Sequence, residues 1–257
     1  EEIKKIRANT DLEIEAFIHG AMCIAVSGRC FMSHHLFGQS ANRGDCIQPC
    51  RREYEVYDTA TQKSLLIGDD YILSPKDLCT IEFIDQLIEA GIDSFKIEGR
   101  KRAPEYVATT VSVYRKAIDL YFKKKLTTEK KKEFRKELET VYNRGFSTGF
   151  YFGKPSSEDY AGVEGSKATA RKVYVGRVLN YFKKPKAAHV LLESGKLKVN
   201  DKILIIGETT GLLEVTLKKM IVDEKSSKFA QKGEEVSFIT PELVRRNDKV
   251  YLVEQSQ

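Results

Sequence analysis

Residues 15–30 read EAFIHGAMCIAVSGRC, and this stretch decides how the rest of the chain is interpreted. The alternation of apolar and polar residues from Leu12 to Ile18 predicts a β-strand that ends at His19-Gly20. A loop with the first two cysteines, Cys23 and Cys30, follows directly. The stretch therefore places potential ligands just beyond the carboxyl end of a strand, where open α/β sheets bind their substrates.

The cysteines form the most informative pattern in the chain, because four of the five fall within 28 residues in the spacing C-x6-C-x15-C-x3-C. They are Cys23, Cys30, Cys46 and Cys50, and Cys79 stands apart from them. Thiolates select zinc, copper(I) and iron–sulfur clusters, so the pattern predicts a soft metal centre.

Two other interpretations of the cysteines compete with an iron–sulfur centre. Two disulfides need an oxidising compartment, and the odd number of cysteines argues against them. Structural zinc also accepts four thiolates, although only Cys46 and Cys50 have the short spacing of a zinc knuckle. Spacing alone leaves iron–sulfur and zinc equally open.

Further along the chain, strand and helix patterns alternate. A short strand pair is expected at 53–58 and 64–67. Ser74, Pro75 and Asp77 resemble the start of a helix, whose apolar positions continue to the stop at Gly91. A strand at 94–97 and a helix from Pro104 follow. This order predicts α/β architecture with a parallel sheet, in which His19, Cys23 and residues 98–102 all lie at carboxyl ends of strands.

The pattern changes in the last third of the chain. Residues 128–142 predict a charged amphipathic helix, and residues 146–170, rich in Gly, Ser and Pro, predict a linker. Short strand patterns separated by turns at Asn200-Asp201, Thr210-Gly211 and Lys232-Gly233 then predict a small all-β barrel over 171–257.

Charge is distributed unevenly between these parts. Residues 171–257 hold 17 basic and 11 acidic residues and thereby carry the whole net charge of +6. A basic module fits a polyanion such as RNA, although for a charge of this size alone a solvated lysine-rich surface is the better explanation. No apolar run reaches the length of a membrane span, so no membrane partner is expected.

Several motifs together carry a family resemblance. Residues 15–33, Asn42 to Arg51, 73–78 and 94–100 resemble the peptidase U32 family, the collagenase-like proteases, and the resemblance covers most of residues 12–150. Asn143-Arg144-Gly145-Phe146 is similar to a later element of that family. The C-terminal part resembles the barrel domain of longer members, which is similar to the second domain of translation elongation factors.

The resemblance implies a fold and a cofactor. The fold is a TIM-like barrel of which this chain, beginning late, holds only the last strands within residues 1–145, so that the barrel is incomplete. Several family members resemble iron–sulfur proteins that hydroxylate tRNA uridine. Mapped on their pattern, Cys23, Cys30, Cys46 and Cys50 are 4Fe–4S ligands, with zinc as the alternative. Cys79, placed inside the predicted helix, is expected to be a small buried residue and not a ligand.

The family name also implies proteolysis, which needs a nucleophile beside a base. The chain has neither Gly-x-Ser-x-Gly nor His-Glu-x-x-His, and the thiols are better explained as ligands. The remaining candidates for catalytic residues are His19, Glu98 and Arg100; Arg100 with its basic neighbours also suits an anionic small-molecule co-substrate, while an ion-paired strand end explains the same charges.

We therefore expect a cytoplasmic U32-family enzyme that hydroxylates a uridine in tRNA with an iron–sulfur cluster. The first alternative is a collagenase-like peptidase, and the second is a binding module stabilised by zinc or a cluster. The sequence leaves open whether the protein assembles as a homo-oligomer or a hetero-oligomer.

Overall fold

The computed structural model describes residues 1–25, 30–52, 54–66, 73–162 and 165–256. The chain divides into two compact units: Glu1–Arg102 with Thr109–Ala168, and Ala103–Ala108 with Thr169–Gln257. The architecture is mixed α/β with one large antiparallel sheet. The α/β class expected for the first part of the chain is therefore confirmed at this level.

Helices and short strands alternate along residues 1–147, most of which belong to the first unit. The helices are α1 (Glu2–Arg7), α2 (Phe31–Phe37), α3 (Ile84–Glu89), α4 (Pro104–Phe122) and α5 (Thr128–Glu139). The strands are β1 (Glu15–Gly20), β2 (Glu55–Asp58), β3 (Lys63–Leu66), β4 (Asp77–Cys79), β5 (Ser94–Ile97) and β6 (Phe146–Ser147). The strand pair expected at 53–58 and 64–67 is confirmed as the β2–β3 hairpin, while residues 53 and 67 themselves lie outside the described residues.

The sheet of the first unit is mixed, in the order β5-β1-β4-β6. The pairs β1–β5 and β4–β6 are parallel, as the alternating pattern predicted, but β4 runs antiparallel to β1. Because β1 and β5 are parallel, their carboxyl ends meet, and the Glu98 N–H donates to the His19 carbonyl oxygen over 2.9 Å. A Cβ on Gly20, whose φ is +119°, would lie 2.6 Å from the Glu98 carbonyl oxygen, so the close approach requires glycine.

The prediction that a helix begins at Ser74 is wrong about where the helix starts. The chain forms strand β4 and then a 3-10 turn at Ile81–Phe83, and helix α3 begins only at Ile84. The backbone N–H groups of Lys76 and Asp77 donate to carbonyl oxygens of residues 159 and 145, which are distant in sequence. Tertiary pairing thus overrides the local capping signal, and Cys79 lies in a strand instead of a helix.

The apolar positions of that pattern nevertheless form the core of the first unit. Ile81, Ile84 and Leu87 are buried with Val113 and Tyr114 of α4. The predicted amphipathic helix is confirmed as α5, which buries Phe134 and Leu138 and pairs charged residues along its outer face, Lys130 with Glu133 and Arg135 with Glu139.

Of the segment 146–170, which was expected as a linker, the residues up to Ala168 belong to the first unit. Phe146 pairs with Asp77 in the sheet, and the Tyr151 hydroxyl donates to the Phe17 carbonyl oxygen over 2.7 Å. The Ala161 N–H donates to the Ser74 carbonyl oxygen over 2.7 Å. This segment therefore pairs with and covers β4.

The second unit is built almost entirely of strands. They are β7 (Ala170–Phe182), β8 (Ala187–Leu192), β9 (Lys196–Lys198), β10 (Lys202–Gly207), β11 (Gly211–Thr216), β12 (Met220–Val222), β13 (Lys225–Ser227), β14 (Phe229–Gln231), β15 (Glu235–Ile239) and β16 (Lys249–Gln255). Eight of them form an antiparallel sheet in the order β11-β10-β16-β7-β8-β15-β12-β13, and β9 pairs with β14. Residues such as Val178, Val190 and Ile203 are buried in its apolar core.

The predicted all-β character of this unit is confirmed, and its turns carry positive φ angles at Asn200, Gly211 and Gly233. The expected closed barrel is not what the described strands form: β11 and β13 are the two ends of an open order. Nowhere in the described part of the chain does a helix combine the length and apolar character that crossing a bilayer demands.

Candidate functional site

The four clustered cysteines lie on loops and short turns next to β1. Cys23 follows β1 and is exposed, Cys30 stands at the cap position before α2, and Cys50 is buried in a 3-10 turn at Pro49–Arg51. Cys46 is half-buried between them. Residues 26–29 of the predicted cysteine loop lie outside the described residues.

Electrostatics place the four thiols in one neighbourhood. Burial raises the pKa of the Cys50 thiol, and charges on Cys23, Cys46 and Cys30 raise that pKa further, while Arg51 lowers it. Two sulfur atoms accept backbone hydrogen bonds, Cys23 from Ala25 N–H at 3.4 Å and Cys46 from Gln48 N–H at 3.3 Å.

The donor chemistry of these residues fits a soft metal centre, because thiolate is the ligand that zinc and iron–sulfur clusters use. Within the described residues, however, no group of three or more His, Cys, Asp or Glu side chains is gathered as a metal site. The four cysteines thus share a neighbourhood without forming a closed coordination sphere.

The loop after β5 meets the cysteine segment. Lys101 Nζ donates to the Cys46 carbonyl oxygen over 2.7 Å. The Arg100 guanidinium lies on Gly44, where a Cβ would come within 1.5 Å of Arg100 Nη1. Glu98 Oε1 accepts a hydrogen bond from the Arg100 N–H over 3.0 Å, so that Glu98 turns back on its own loop. The structure therefore brings two of the three candidate catalytic residues, Glu98 and Arg100, next to the cysteine segment.

The third candidate, His19, lies in the interior. Only 1% of its surface is exposed, and its ring packs between Tyr114 and Phe146. Burial, aided by the charge of Arg102, lowers the pKa of His19 to about 3, so the imidazole is neutral at physiological pH. Its neighbour across the strands, Cys79, is also buried, as expected, and burial raises the pKa of that thiol to about 11.

A cluster of buried charges near β4 was not found by the sequence patterns. It consists of Asp77, Arg51, Arg102 and Arg144, and we call it the Asp77 cluster. Asp77 Oδ2 lies 3.4 Å from Arg102 Nη2, and Asp77 Oδ1 lies 3.9 Å from Arg144 Nη1. Burial raises the pKa of Asp77 and outweighs the three arginine charges, which lower it. The ring of Tyr142 stacks on both Arg102 and Arg144, at 4.2 and 5.1 Å.

No paired nucleophile and base is found among the other histidines. His34 and His35 are exposed on α2, and His189 pairs with Glu235 over 2.8 Å. No hydrogen bond joins any of these three to a described serine or cysteine. These three histidines therefore form no nucleophile–base pair with a described serine or cysteine.

Comparisons with known proteins agree on one family. A family model described as peptidase family U32 matches residues 1–161. An uncharacterized protease of Methanocaldococcus jannaschii is 45% identical over 99% of this chain and 64% of its own length. A collagenase of Porphyromonas gingivalis is 42% identical over 93% of this chain and 58% of its own. The tRNA hydroxylation protein P1 of Bacillus subtilis is 46% identical over 70% of this chain and 43% of its own. The chain thus spans less than two thirds of each of these relatives.

Proposed function

Because the chain belongs to peptidase family U32, we propose that it is part of an RNA-modifying enzyme that hydroxylates a uridine in tRNA. The observation that carries the proposal is the shared neighbourhood of four thiols beside the basic loop after β5. A relative with 46% identity bears the name of a tRNA hydroxylation protein, which supports the choice of reaction.

In this proposal Cys23, Cys30, Cys46 and Cys50 would hold a 4Fe–4S cluster. Such a cluster supplies one-electron redox chemistry when bound. The Ala25 and Gln48 N–H groups donate hydrogen bonds to two of the sulfurs, and Lys101 Nζ donates to the Cys46 carbonyl oxygen. Arg100, exposed above Gly44, is placed to meet an anionic group of a substrate or co-substrate.

RNA binding is assigned to the second unit in this proposal. The turn between β7 and β8 carries Lys183, Lys184 and Lys186, all exposed, next to Phe182, which is 43% exposed. Lysines reach phosphates, and an exposed ring offers a base a surface on which to stack. We further propose a cytoplasmic location, a first unit that completes a TIM-like barrel with the rest of the protein, and a second unit related to domain 2 of elongation factors.

A collagenase-like peptidase is the second candidate, and the relative from Porphyromonas gingivalis favours it. The absence of a described nucleophile–base pair among His34, His35 and His189 weighs against it. A module in which zinc or a cluster is purely structural is the third, and it predicts a bound metal without activity on RNA.

The test is an anaerobic purification of the whole protein with iron, sulfide and zinc analysis. We expect a brown protein with four irons per chain, as the proposed 4Fe–4S cluster requires, and iron content that falls sharply in each of the variants C23S, C30S, C46S and C50S. The matched control is Cys79→Ala, which removes a thiol from the strand interior and leaves iron unchanged. Mass spectrometry of tRNA nucleosides from cells lacking the gene must show loss of the hydroxylated uridine, restored by the wild type and not by C46S.

Three results contradict the proposal. Stoichiometric zinc without iron, lost in the same variants, assigns the cysteines to a structural site. If the tRNA nucleosides are unchanged in cells lacking the gene and the purified protein holds an intact cluster, the proposed reaction is wrong but the proposed cofactor is correct. An activity that cleaves denatured collagen, copurifies with the protein and survives loss of the cluster supports the peptidase function.

A further inference from the structure

The chain contains the sequence Tyr-Phe-Lys-Lys twice, once in each unit, and both copies lead into a turn. Residues 121–125, YFKKK, span the end of helix α4, and residues 181–186, YFKKPK, lead from β7 to β8. The phenylalanine of each copy is exposed, Phe122 by 70% and Phe182 by 43%, and the lysines that follow are exposed as well. The proposed function uses only the second copy. We call residues 121–125 the α4 turn.

One lysine of each copy has a backbone conformation that glycine normally adopts. The φ angles are +55° at Lys124 and +53° at Lys186, and no other lysine in the described ranges has a positive φ. A residue with a Cβ atom is disfavoured in this left-handed region. After α2 and α3 the chain places glycine in the left-handed position, Gly38 and Gly91. Lysine therefore occupies both Tyr-Phe-Lys-Lys turns against the local backbone preference.

The end of α4 does not need the lysine side chains. The Lys125 N–H donates to the Leu120 carbonyl oxygen over 2.8 Å. The Lys124 N–H donates to the Tyr121 carbonyl oxygen, also over 2.8 Å. This is the Schellman arrangement, in which backbone donors alone satisfy the last carbonyl groups of a helix. In the described part of the chain no ion pair or side-chain hydrogen bond involves Lys123, Lys124 or Lys125, so their ammonium groups are available to an anion.

The α4 turn begins a segment of strong positive charge. Residues 121–136 hold eight basic and two acidic side chains. Part of the charge on α5 is balanced, because Lys131 pairs with Asp85. Exposed cations attract the phosphates of a nucleic acid, and an exposed ring gives an unpaired base a surface on which to stack. The α4 turn presents both features.

We propose that the α4 turn is a second RNA-binding element, in which its three lysines contact phosphates and Phe122 stacks on an unpaired base. The choice of RNA as the polyanion rests on the proposed function. The Tyr121 ring is nearly perpendicular to the Phe122 ring, with 5.3 Å between centroids, so the two rings do not stack on each other. The turn therefore fits a segment of RNA with unpaired bases better than a duplex, whose bases are already stacked and paired.

The first test measures tRNA binding by the whole protein over a series of salt concentrations. Changing Lys123, Lys124 and Lys125 together to glutamine should weaken binding at low salt at least tenfold. It should also reduce the slope of log affinity against log salt by up to about three. The matched control changes three exposed lysines of the first unit that have no aromatic neighbour in sequence: Lys4, Lys5 and Lys63. Equal slopes in the turn variant and the control variant, or no binding of tRNA by the wild type, overturn the proposal.

Two single variants separate the roles of the ring and of the lysine with positive φ. Phe122→Ala should weaken binding of single-stranded RNA about fivefold or more and leave duplex binding unchanged, because stacking needs an unpaired base. Equal effects on both RNAs, or none, contradict the stacking. Lys124→Gly should weaken tRNA binding while the urea midpoint of unfolding stays level or rises, since glycine suits the left-handed position. A lower midpoint would assign the lysine to the stability of the helix end and contradict the inference.

The results separate this inference from the proposed function. If tRNA binding depends on the α4 turn but the tRNA nucleosides are unchanged in cells lacking the gene, the inference holds and the proposed reaction is wrong. If the hydroxylated nucleoside is lost in those cells but the turn variant binds tRNA like the wild type, the inference alone is wrong. Vesicles of phosphatidylserine are the alternative probe. Binding of these vesicles through the turn, without binding of RNA, would assign the turn to a membrane surface and overturn the proposal.

Discussion

Replacing Tyr114 by phenylalanine removes one oxygen atom from the most enclosed part of the first unit. The hydroxyl donates to the Ile18 carbonyl oxygen over 3.0 Å and accepts from the Thr80 N–H over 3.0 Å. Tyr114 is 2% exposed, so water does not replace these contacts. The Thr80 N–H also donates to the Ile18 carbonyl oxygen, over 3.1 Å, and this bond remains in the variant.

The expected loss follows from two hydrogen bonds at about 1 kcal/mol each. The remaining Thr80–Ile18 bond limits the penalty for unpaired groups, so we expect the free energy of unfolding to fall by about 2 kcal/mol. Urea unfolding followed by far-UV circular dichroism measures this difference, with wild type and variant prepared side by side.

The same helix provides the control. Among the described residues, the only hydrogen-bond partner of the Tyr121 hydroxyl is the exposed Glu89 carboxylate, at 3.4 Å, and Tyr121→Phe should change the free energy of unfolding by less than about 0.5 kcal/mol. Equal losses in Tyr114→Phe and Tyr121→Phe, or no loss in either, would refute the conclusion that the buried hydroxyl links Ile18 of β1 to Thr80, the residue that follows β4.

Three further predictions concern pH, RNA and the second unit. The pKa of His19 is about 3 in the folded protein and has its ordinary value in the unfolded chain, so the unfolded state binds the proton more readily and stability falls as pH drops from about 6.5 toward 3. His19→Gln should flatten this part of the stability–pH profile, and a profile identical to wild type would contradict the argument that His19 is buried and neutral. Changing Lys183, Lys184 and Lys186 together to glutamine should reduce the slope of log affinity for tRNA against log salt by up to about three, whereas an unchanged slope would place the phosphate contacts elsewhere. Residues 169–257 contain their own apolar core and should unfold cooperatively as an isolated polypeptide, so a gradual, featureless melting curve would show that they depend on the rest of the chain.

The periodicity of the sequence predicted those structural features that are determined by residues close together in the chain. The strand before the cysteines, the buried positions Ile81, Ile84 and Leu87, and the turns of the second unit follow from local patterns, and the structure contains them. The start of the helix at Ser74 failed because the N–H groups that would open a helix are taken by carbonyl oxygens of residues 145 and 159. A local capping signal carries no information about such distant acceptors.

In the candidate site, too, the sequence predicted the features formed by residues close together in the chain and missed those formed by distant residues. The spacing of the cysteines was sufficient to group them, because they lie close together in sequence. The Asp77 cluster joins Arg51, Arg102 and Arg144, which are about 40 to 50 residues apart, and no pattern in the sequence links them. His19 looked accessible because it follows a strand, but the aromatic rings of Tyr114 and Phe146 enclose it.

The dependence of β4 on later residues has a consequence during translation. Protein chains leave the ribosome from the N-terminus, and domains generally fold as units as they emerge. Strand β4 is synthesised early, but its partners at Gly145, Phe146 and Asp159 emerge some 70 to 80 residues later. Until then β4 has an unpaired edge, at which a chaperone or a second nascent chain can bind. A ribosome that stalls before residue 147 therefore holds a first unit that cannot complete its sheet, because β6 has not yet been synthesised.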